Sequence, residues 1–315
     1  MATYLVTGGA GFIGSSLVER LLRLGDSVRV LDDLSSGRRE NLAGLPGRLD
    51  VTVGSIVDAE TVAGCMRDVD VVFHEAAIPS VARSVENPAR SMLANVQGTT
   101  VVLDAARRAG VRRLIFAASS SAYGDTAVLP KVETMETRPL SPYAISKATC
   151  EQLLRVFASL YGIETLSLRY FNVFGPRQDP KSDYAAVIPK FISAALRKEP
   201  ATIFGDGEQT RDFCFIDNVV DANLLAAASP KKLMGQVVNI ACGDRTSLND
   251  LWKAVQEGTS FQAAARFEAV RAGDVRDSLA DIGAAASLLG YEPRVRLREG
   301  LTRTIAALRA GLPPA

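Results

Sequence analysis

The sequence predicts an α/β protein: a doubly wound parallel sheet with a smaller, interleaved C-terminal lobe. Three observations carry this reading. Strand-like and helix-like runs alternate through the first half of the chain. A glycine-rich turn, TGGAGFIG, joins the first strand to the first helix. After Asn172 the alternation gives way to GPRQDPKSD, a loop rich in proline and charge.

The elements follow in order. TYLVT reads as a buried strand. FIGSSLVERLLRLG has helical spacing at Ile13, Leu17, Leu21 and Leu24, and Gly25 stops it. SVRVLD, DVTVG, VDVVFHEA, RRLIFAASS and ETLSLRY are further apolar, β-branched strands, with helices expected around 58–67, 89–109 and 142–161. Such alternation implies right-handed βαβ units. Beyond Asn172, YAAVIPKFISAALRKEP reads as a helix and ATIFGDGEQTRDFCFI as short strands. DNVVDANLLAAAS is another helix, QVVNIAC one more strand of the main sheet, and helices near 247–256, 280–289 and 297–309 complete the chain. The expected division is a dinucleotide-binding domain over 1–171, to which 215–243 returns, and a second lobe from 172–214 and 244–315.

Composition narrows the function classes. The chain has 315 residues, 47% of them apolar, enough for a substantial core. Lys and Arg number 36 against 35 Asp and Glu, so the net charge gives no pointer to nucleic acid or membranes. Cys65, Cys150, Cys214 and Cys242 lie far apart, and His74 is the single histidine, so no metal site is expected. Reduced, buried thiols suit a cytoplasmic protein. No leader is expected ahead of the strand at Thr3–Thr7, and no apolar run reaches the roughly 20 residues of a membrane helix.

The turn itself has a chemistry. Gly8, Gly11 and Gly14 permit a tight bend, close backbone approach to a pyrophosphate and close helix–sheet packing. The helix that follows offers free N–H groups and the positive end of its dipole. Asp32 ends the second strand about 20 residues on, where a carboxylate accepts hydrogen bonds from the adenosine ribose and repels a 2′-phosphate. The context predicts a Rossmann-like NAD site. Arg38 and Arg39 are read as a solvated loop.

SPYAISK places Tyr143 and Lys147 four residues apart, on one face of a helix and about 6 Å apart along its axis. Ser141 suits its cap and Pro142 its first turn. The run Ser119–Ser121 lies where a strand meets the carboxyl edge of the sheet, where such sheets bind ligands. With the glycine turn, Ser119, Tyr143 and Lys147 resemble the extended short-chain dehydrogenase/reductases. TGGAGFIG, HEAA, SSSAYGD, PYAISK, RYFNVFGP, RDFCFIDNVVDA and RAGDVRDSLAD resemble motifs of the UDP-hexose 4-epimerases within the NAD-dependent epimerase/dehydratase family.

That resemblance implies a mechanism. Tyr143 takes the proton of the sugar 4-hydroxyl while hydride leaves C4 for NAD. The 4-keto sugar turns over, and hydride returns to its other face. Ser119 bonds the reacting oxygen and Lys147 holds the nicotinamide ribose. A phenol titrates near 10, and reaching about 7 needs roughly 4 kcal/mol from Lys147 and the nicotinamide cation. The remaining cofactor contacts implied are Phe12, Ile13, Asp33, Ser36, Gly37, Ser55, Ile56, Ala76, Ala77, Asn95 and Tyr170. Ser55 replaces a common Asp near the adenine, which weakens NAD retention. Pro79 after HEAAI departs from the Lys or Gly of some relatives.

For the UDP-sugar, the resemblance implies Arg211 and Arg271 on the pyrophosphate. Asp274 belongs to the ribose, Thr202 and Phe204 to the uracil, and Asn172, Ser120, Ala186 and Val187 to the sugar and diphosphate. Ser278 stands where some relatives carry a tyrosine, leaving room for a 2-acetamido group. The expected reaction is therefore interconversion of UDP-GlcNAc and UDP-GalNAc, with UDP-glucose and UDP-galactose as further substrates. The dehydratases and decarboxylases of this branch carry an acid before the Tyr-Gly of the serine segment, and Ala122 stands there instead. UDP-glucuronate is the competing substrate, with Arg177 as a cation for its carboxylate, and a non-catalytic NAD sensor is the competing class. His74 is read as structural. The helices near 89–109 and 142–161 resemble those that pair in family homodimers.

Overall fold

The computed structural model describes residues 2–179, 186–270 and 275–310. The chain begins β1 (Thr3–Thr7), α1 (Phe12–Arg23), β2 (Ser27–Asp32), β3 (Arg48–Val53), α2 (Ala59–Cys65) and β4 (Val71–His74). Helices α3 (Val81–Glu86), α4 (Pro88–Met92) and α5 (Gly98–Arg108) lead to β5 (Arg113–Ser119), α6 (Pro142–Tyr161) and β6 (Glu164–Tyr170). The second half adds β7 (Val173–Phe174), α7 (Val187–Leu196), β8 (Thr202–Phe204), β9 (Thr210–Arg211), β10 (Cys214–Phe215) and α8 (Ile216–Ala228). It closes with β11 (Met234–Ile240), β12 (Thr246–Ser247), α9 (Leu248–Thr259), β13 (Arg266–Glu268), α10 (Gly283–Leu289) and α11 (Leu297–Arg309).

Seven of these strands form one sheet in the order β11-β6-β5-β4-β1-β2-β3, every pair parallel. The order reverses between β1 and β4, which places the binding crevice at their carboxyl ends. The inner strands are apolar on both faces because helices cover both, so VVFH of β4 is wholly buried. One core layer unites Val6, Leu17, Leu21, Phe73 and Leu166 with Ile188, Val219 and Trp252 of the second half. The opposite layer gathers Leu5, Val72, Val102, Leu114, Phe116 and Leu154. QVVNIAC joins the main sheet as the sequence predicts, beside β6.

The expected helix over 89–109 differs in detail. It is two α-helices joined by a π-helical stretch, Leu93–Gln97. The wider turn turns Asn95 inward, where Nδ2 donates to Ser146 of α6 and Oδ1 accepts from Ile78 N at 2.8 Å. Periodicity also overlooks α3, a helix of six residues capped by Ser80. Among the described residues no helix is long and apolar enough to cross a membrane, and no cluster of metal-ligating side chains occurs. The four cysteines are free and buried, as read from the sequence.

Candidate active site

The glycine turn is built for close approach. Gly8 has φ +70°, and a Cβ there would stand 2.7 Å from Ala76 N. A Cβ at Gly14 would lie 2.2 Å from Gly8 O, so helix and turn touch backbone to backbone. Gly11 caps α1 without a side-chain hydrogen bond, and no acid stands in the first turn, so the positive helix end is open to an anion. Phe12 and Ile13 lean on the core behind it. Ala76 and Ala77 form the facing wall after β4.

Asp32 is nearly sealed. Its Oδ2 accepts from Ala10 N at 2.9 Å and its Oδ1 from Leu34 N at 2.8 Å, which fixes the carboxylate at the end of β2. Burial raises its pKa, and those two N–H groups oppose the rise. A side chain on Gly37 would come within 2.8 Å of both Asp32 oxygens, so only glycine leaves that edge open. Asp33 and Ser36 are exposed beside it, and Asp33 binds Ser35. These features fit a dinucleotide with a free adenosine ribose. Arg38 stays partly exposed, as a solvated loop would leave it, and also pairs with Asp179.

Two other expected cofactor residues carry structural duties. The Ile56 side chain is buried in the core, against Gly98. Asn95 is buried with its amide engaged by Ile78 and Ser146. Ser55 bonds Val57 N at 3.4 Å.

The reactive cluster sits where β5 and β6 end. Ser119 and Tyr170 are register partners across those strands. Ser119 Oγ accepts hydrogen bonds from Ser121 N at 3.2 Å and Ser121 Oγ at 2.9 Å, and its side chain is near enough to the Tyr143 phenol to favour the phenolate. Ser121 is thus the hydroxyl that touches Ser119, and Ser120 opens the 3-10 turn that follows β5. Ser141 caps α6 through Ala144 N at 3.1 Å, and Ser84 of α3 receives Tyr143 N at 3.0 Å. Tyr143 is therefore fixed at the helix start by two serines.

The charge balance differs from the expectation for Tyr143. Its pKa is raised: burial dominates, the Ser119 side chain lowers it, and the Glu75 carboxylate raises it further. Lys147 does not reach the phenol. Its Nζ donates to Ala117 O at 2.7 Å and stands 4.6 Å over the Phe116 ring and 6.0 Å from the Tyr143 ring centre. Burial lowers the Lys147 pKa. In this geometry the protein's own groups hold Tyr143 as a phenol, and a further positive charge is needed to release its proton. His74, by contrast, is structural as expected, bonded to Thr7 and Thr99 and held neutral by burial.

A cavity of about 280 Å³ adjoins this cluster through Asn172, two residues beyond Tyr170. Asn172 takes φ +32° and donates to Asp212 O at 3.0 Å. Ala186, Val187, Thr202, Phe204 and Arg211 line the cavity with Asn172, so four dispersed stretches meet there. Gln209 also lines it and was missed. Its Nε2 donates to Phe204 O, while its Oε1 is buried without a partner. Ser278 binds Thr210 O through its backbone and is not among the lining residues. Arg271 and Asp274 lie outside the described residues. Arg177 pairs with Glu19 of α1, while its Nη1 is buried without a hydrogen-bond partner.

Known proteins agree with this geometry. The family model of the NAD-dependent epimerase/dehydratases matches residues 4–241. The UDP-glucose 4-epimerase of Mycolicibacterium smegmatis is 41% identical over 310 residues, covering 97% of this chain and 98% of that protein. The crystal structure of UDP-glucose 4-epimerase from Thermotoga maritima with UDP-glucose superposes with a TM-score of 0.93 at 42% identity, covering 98% and 99% of the two chains. UDP-N-acetylglucosamine 4-epimerase from Methanobrevibacter ruminantium M1, in complex with UDP-N-acetylmuramic acid, gives 0.94 at 37% identity over 99% of each chain. The chain therefore belongs to the NAD-dependent epimerase/dehydratase family, works with NAD, and falls with the isomerases of that family.

Proposed function

We propose that this enzyme inverts C4 of a UDP-hexose, with UDP-GlcNAc and UDP-GalNAc as its preferred pair and UDP-glucose and UDP-galactose as further substrates. The observation that carries the reaction is the placement of Tyr143, at the start of α6, with Ser119 near enough to favour its phenolate, at the carboxyl edge of the sheet where the cavity at Asn172 begins. The UDP-sugar 4-epimerases above support the coarser reading. The choice of the acetylated pair rests on small side chains, Ala186 at the cavity and Ser278 beside Thr210.

Each residue has a task. The turn at Gly8, Gly11 and Gly14, with Asp32 and Gly37, would hold the dinucleotide, and Lys147 would face its ribose. When bound there, NAD would supply the hydride acceptor and donor for the sugar C4. Tyr143 removes the 4-hydroxyl proton in the first half of the cycle and gives it back in the second. Ser119, fixed by Ser121, bonds the same oxygen. Arg211, Thr202, Phe204 and Gln209 anchor the nucleotide while the sugar turns over. With Arg271 and Asp274 they complete the proposed clamp.

The test is proton NMR of UDP-GlcNAc, UDP-glucose and UDP-glucuronate, each incubated with purified protein and NAD. UDP-GalNAc forming fastest supports the assignment. Turnover of glucuronate alone overturns the substrate, and no turnover with any of them revives the NAD sensor. Replacing Ser278 with Tyr is expected to cut the acetylated pair selectively; equal loss on both pairs refutes the pocket argument. A homodimer through α5 and α6 is part of the proposal, supported by exposed Leu93, Val156, Leu160 and Tyr161. Sedimentation as a monomer would remove it.

A further inference from the structure

Glu75 follows β4 directly and has no part in the mechanism above. Its backbone forms the wall facing the glycine turn: a Cβ on Gly8 would stand 3.0 Å from the Glu75 carbonyl carbon. Its side chain reaches across to the end of β6. There Oε1 accepts a 2.9 Å hydrogen bond from the Tyr170 hydroxyl. That hydroxyl accepts a 2.8 Å bond from Asn223 Nδ2, and Asn223 is tied to Val219 O at 2.9 Å within α8. The bonds all run one way, from a fully buried amide through a buried phenol to the carboxylate. Three elements thus cooperate to fix one acid beside the reactive cluster.

The groups facing it are few. From α6, Lys147 stabilises the Glu75 carboxylate, and Glu75 in turn stabilises the Lys147 ammonium. Also from α6, Tyr143 loses its proton less readily when Glu75 is charged. From β6 comes Tyr170, whose ionisation Glu75 likewise opposes. His74 on its own strand is neutral. Burial holds the Glu75 carboxyl up to about 7, against the pull of the Tyr170 bond and of Lys147.

We propose that Glu75 is a positioning residue for Tyr143: fixed by Tyr170 and Asn223 at the end of β6, where Tyr170 is the register partner of Ser119, its carboxylate charge governs when Tyr143 releases its proton. Glu75 and Tyr143 then compete for one negative charge and titrate as a coupled pair. This rests on Tyr143 being the base.

The experiment reads the two protons directly. Tyr143 ionisation is followed by tyrosinate absorbance, as the difference between the parent protein and Tyr143→Phe, with and without NAD. In Glu75→Gln, which keeps a partner for Tyr170, that titration is expected to move down by about one pH unit, and the rising limb of kcat/KM with it. In protein labelled with carbon-13 at the glutamate carboxyls, one resonance titrating near neutrality is expected in the parent and absent from Glu75→Gln. An unmoved Tyr143 titration in folded Glu75→Gln overturns the inference. Should that variant fail to fold, Tyr170→Phe is expected to move the same carboxyl resonance to higher pH, and an unmoved resonance overturns the inference. Epimerase activity surviving in Tyr143→Phe would instead sink the base assignment itself.

Discussion

Glu151 and Arg169 form a sealed ion pair, with Glu151 Oε1 accepting from Arg169 Nε at 2.8 Å and Oε2 from Nη2 at 2.6 Å. Both side chains are almost wholly buried. The pair joins α6 to β6 one helical turn after Lys147, and the guanidinium stacks 4.5 Å over the Tyr123 ring. Its position sets the depth of the helix that carries both reactive side chains. Glu151→Gln leaves the guanidinium without its counter-charge. We expect a loss of about 3–5 kcal/mol in urea unfolding. Replacing both partners with apolar residues of similar volume is expected to cost less.

Tyr143→Phe removes the hydroxyl without changing the ring. The backbone bond to Ser84 is kept, so the fold should hold. We expect kcat to fall about 10²–10⁴-fold with little change in KM, measured by NMR or coupled assay. An unchanged kcat would exclude Tyr143 as the base. Because Tyr143 is held above the ordinary phenol range, parent activity is expected to rise with pH until the phenolate forms.

Gly14→Ala places a methyl 2.2 Å from Gly8 O and 2.9 Å from Gly9 Cα, both of them backbone. Neither can swing aside, so helix and turn must separate. The expected results are a lowered Tm, by about 1–3 kcal/mol equivalent, and loss of NAD binding in calorimetry. Normal NAD affinity in this variant would contradict the packing argument.

His74 links stability to acid. Thr7 donates to its Nδ1 at 2.7 Å, and its Nε2 donates to Thr99 at 2.9 Å, so both bonds suit a neutral ring. Burial, with help from Lys147, holds its pKa down to about 3 in the fold. The unfolded chain binds that proton near 6.5. The folded pKa is the lower one, so stability is intact above 6.5 and declines as pH falls toward 3, by ~1.4 kcal/mol per unit at most. The window from about 5 to 6.5 is shared with Glu75, held up to about 7, and Asp212, pushed up to about 6, whose raised pKa values favour the fold as pH falls and so oppose the His74 effect. Urea midpoints measured across that window in both proteins should show the parent losing stability relative to His74→Gln as pH falls, and a constant difference between the two would contradict the His74 argument.

Much of this was legible in the sequence because the relevant signals are local. Gly8, Gly11 and Gly14 speak through backbone sterics, and the strand before them and helix after them read from adjacent residues. The serine run at 119–121 and the Tyr143–Lys147 spacing are likewise short patterns. Arg177 and Arg38 read differently: as isolated charges they looked available, and their partners Glu19 and Asp179 come from distant segments. Gln209 and Glu75 carried no pattern of their own.

The sequence by itself determined the parallel sheet and the place of the glycine turn, since periodicity and steric permission are properties of neighbouring residues, while the proposed triad of Ser119, Tyr143 and Lys147 came from a resemblance between short motifs. Only the tertiary structure decided the charge state around that triad. It turned Lys147 toward Ala117, buried Tyr143, and set Glu75 against Tyr170. The reason is physical: desolvation and Coulomb terms depend on what surrounds a group in space, and those neighbours are drawn from β4, β5, α6, β6 and α8 together.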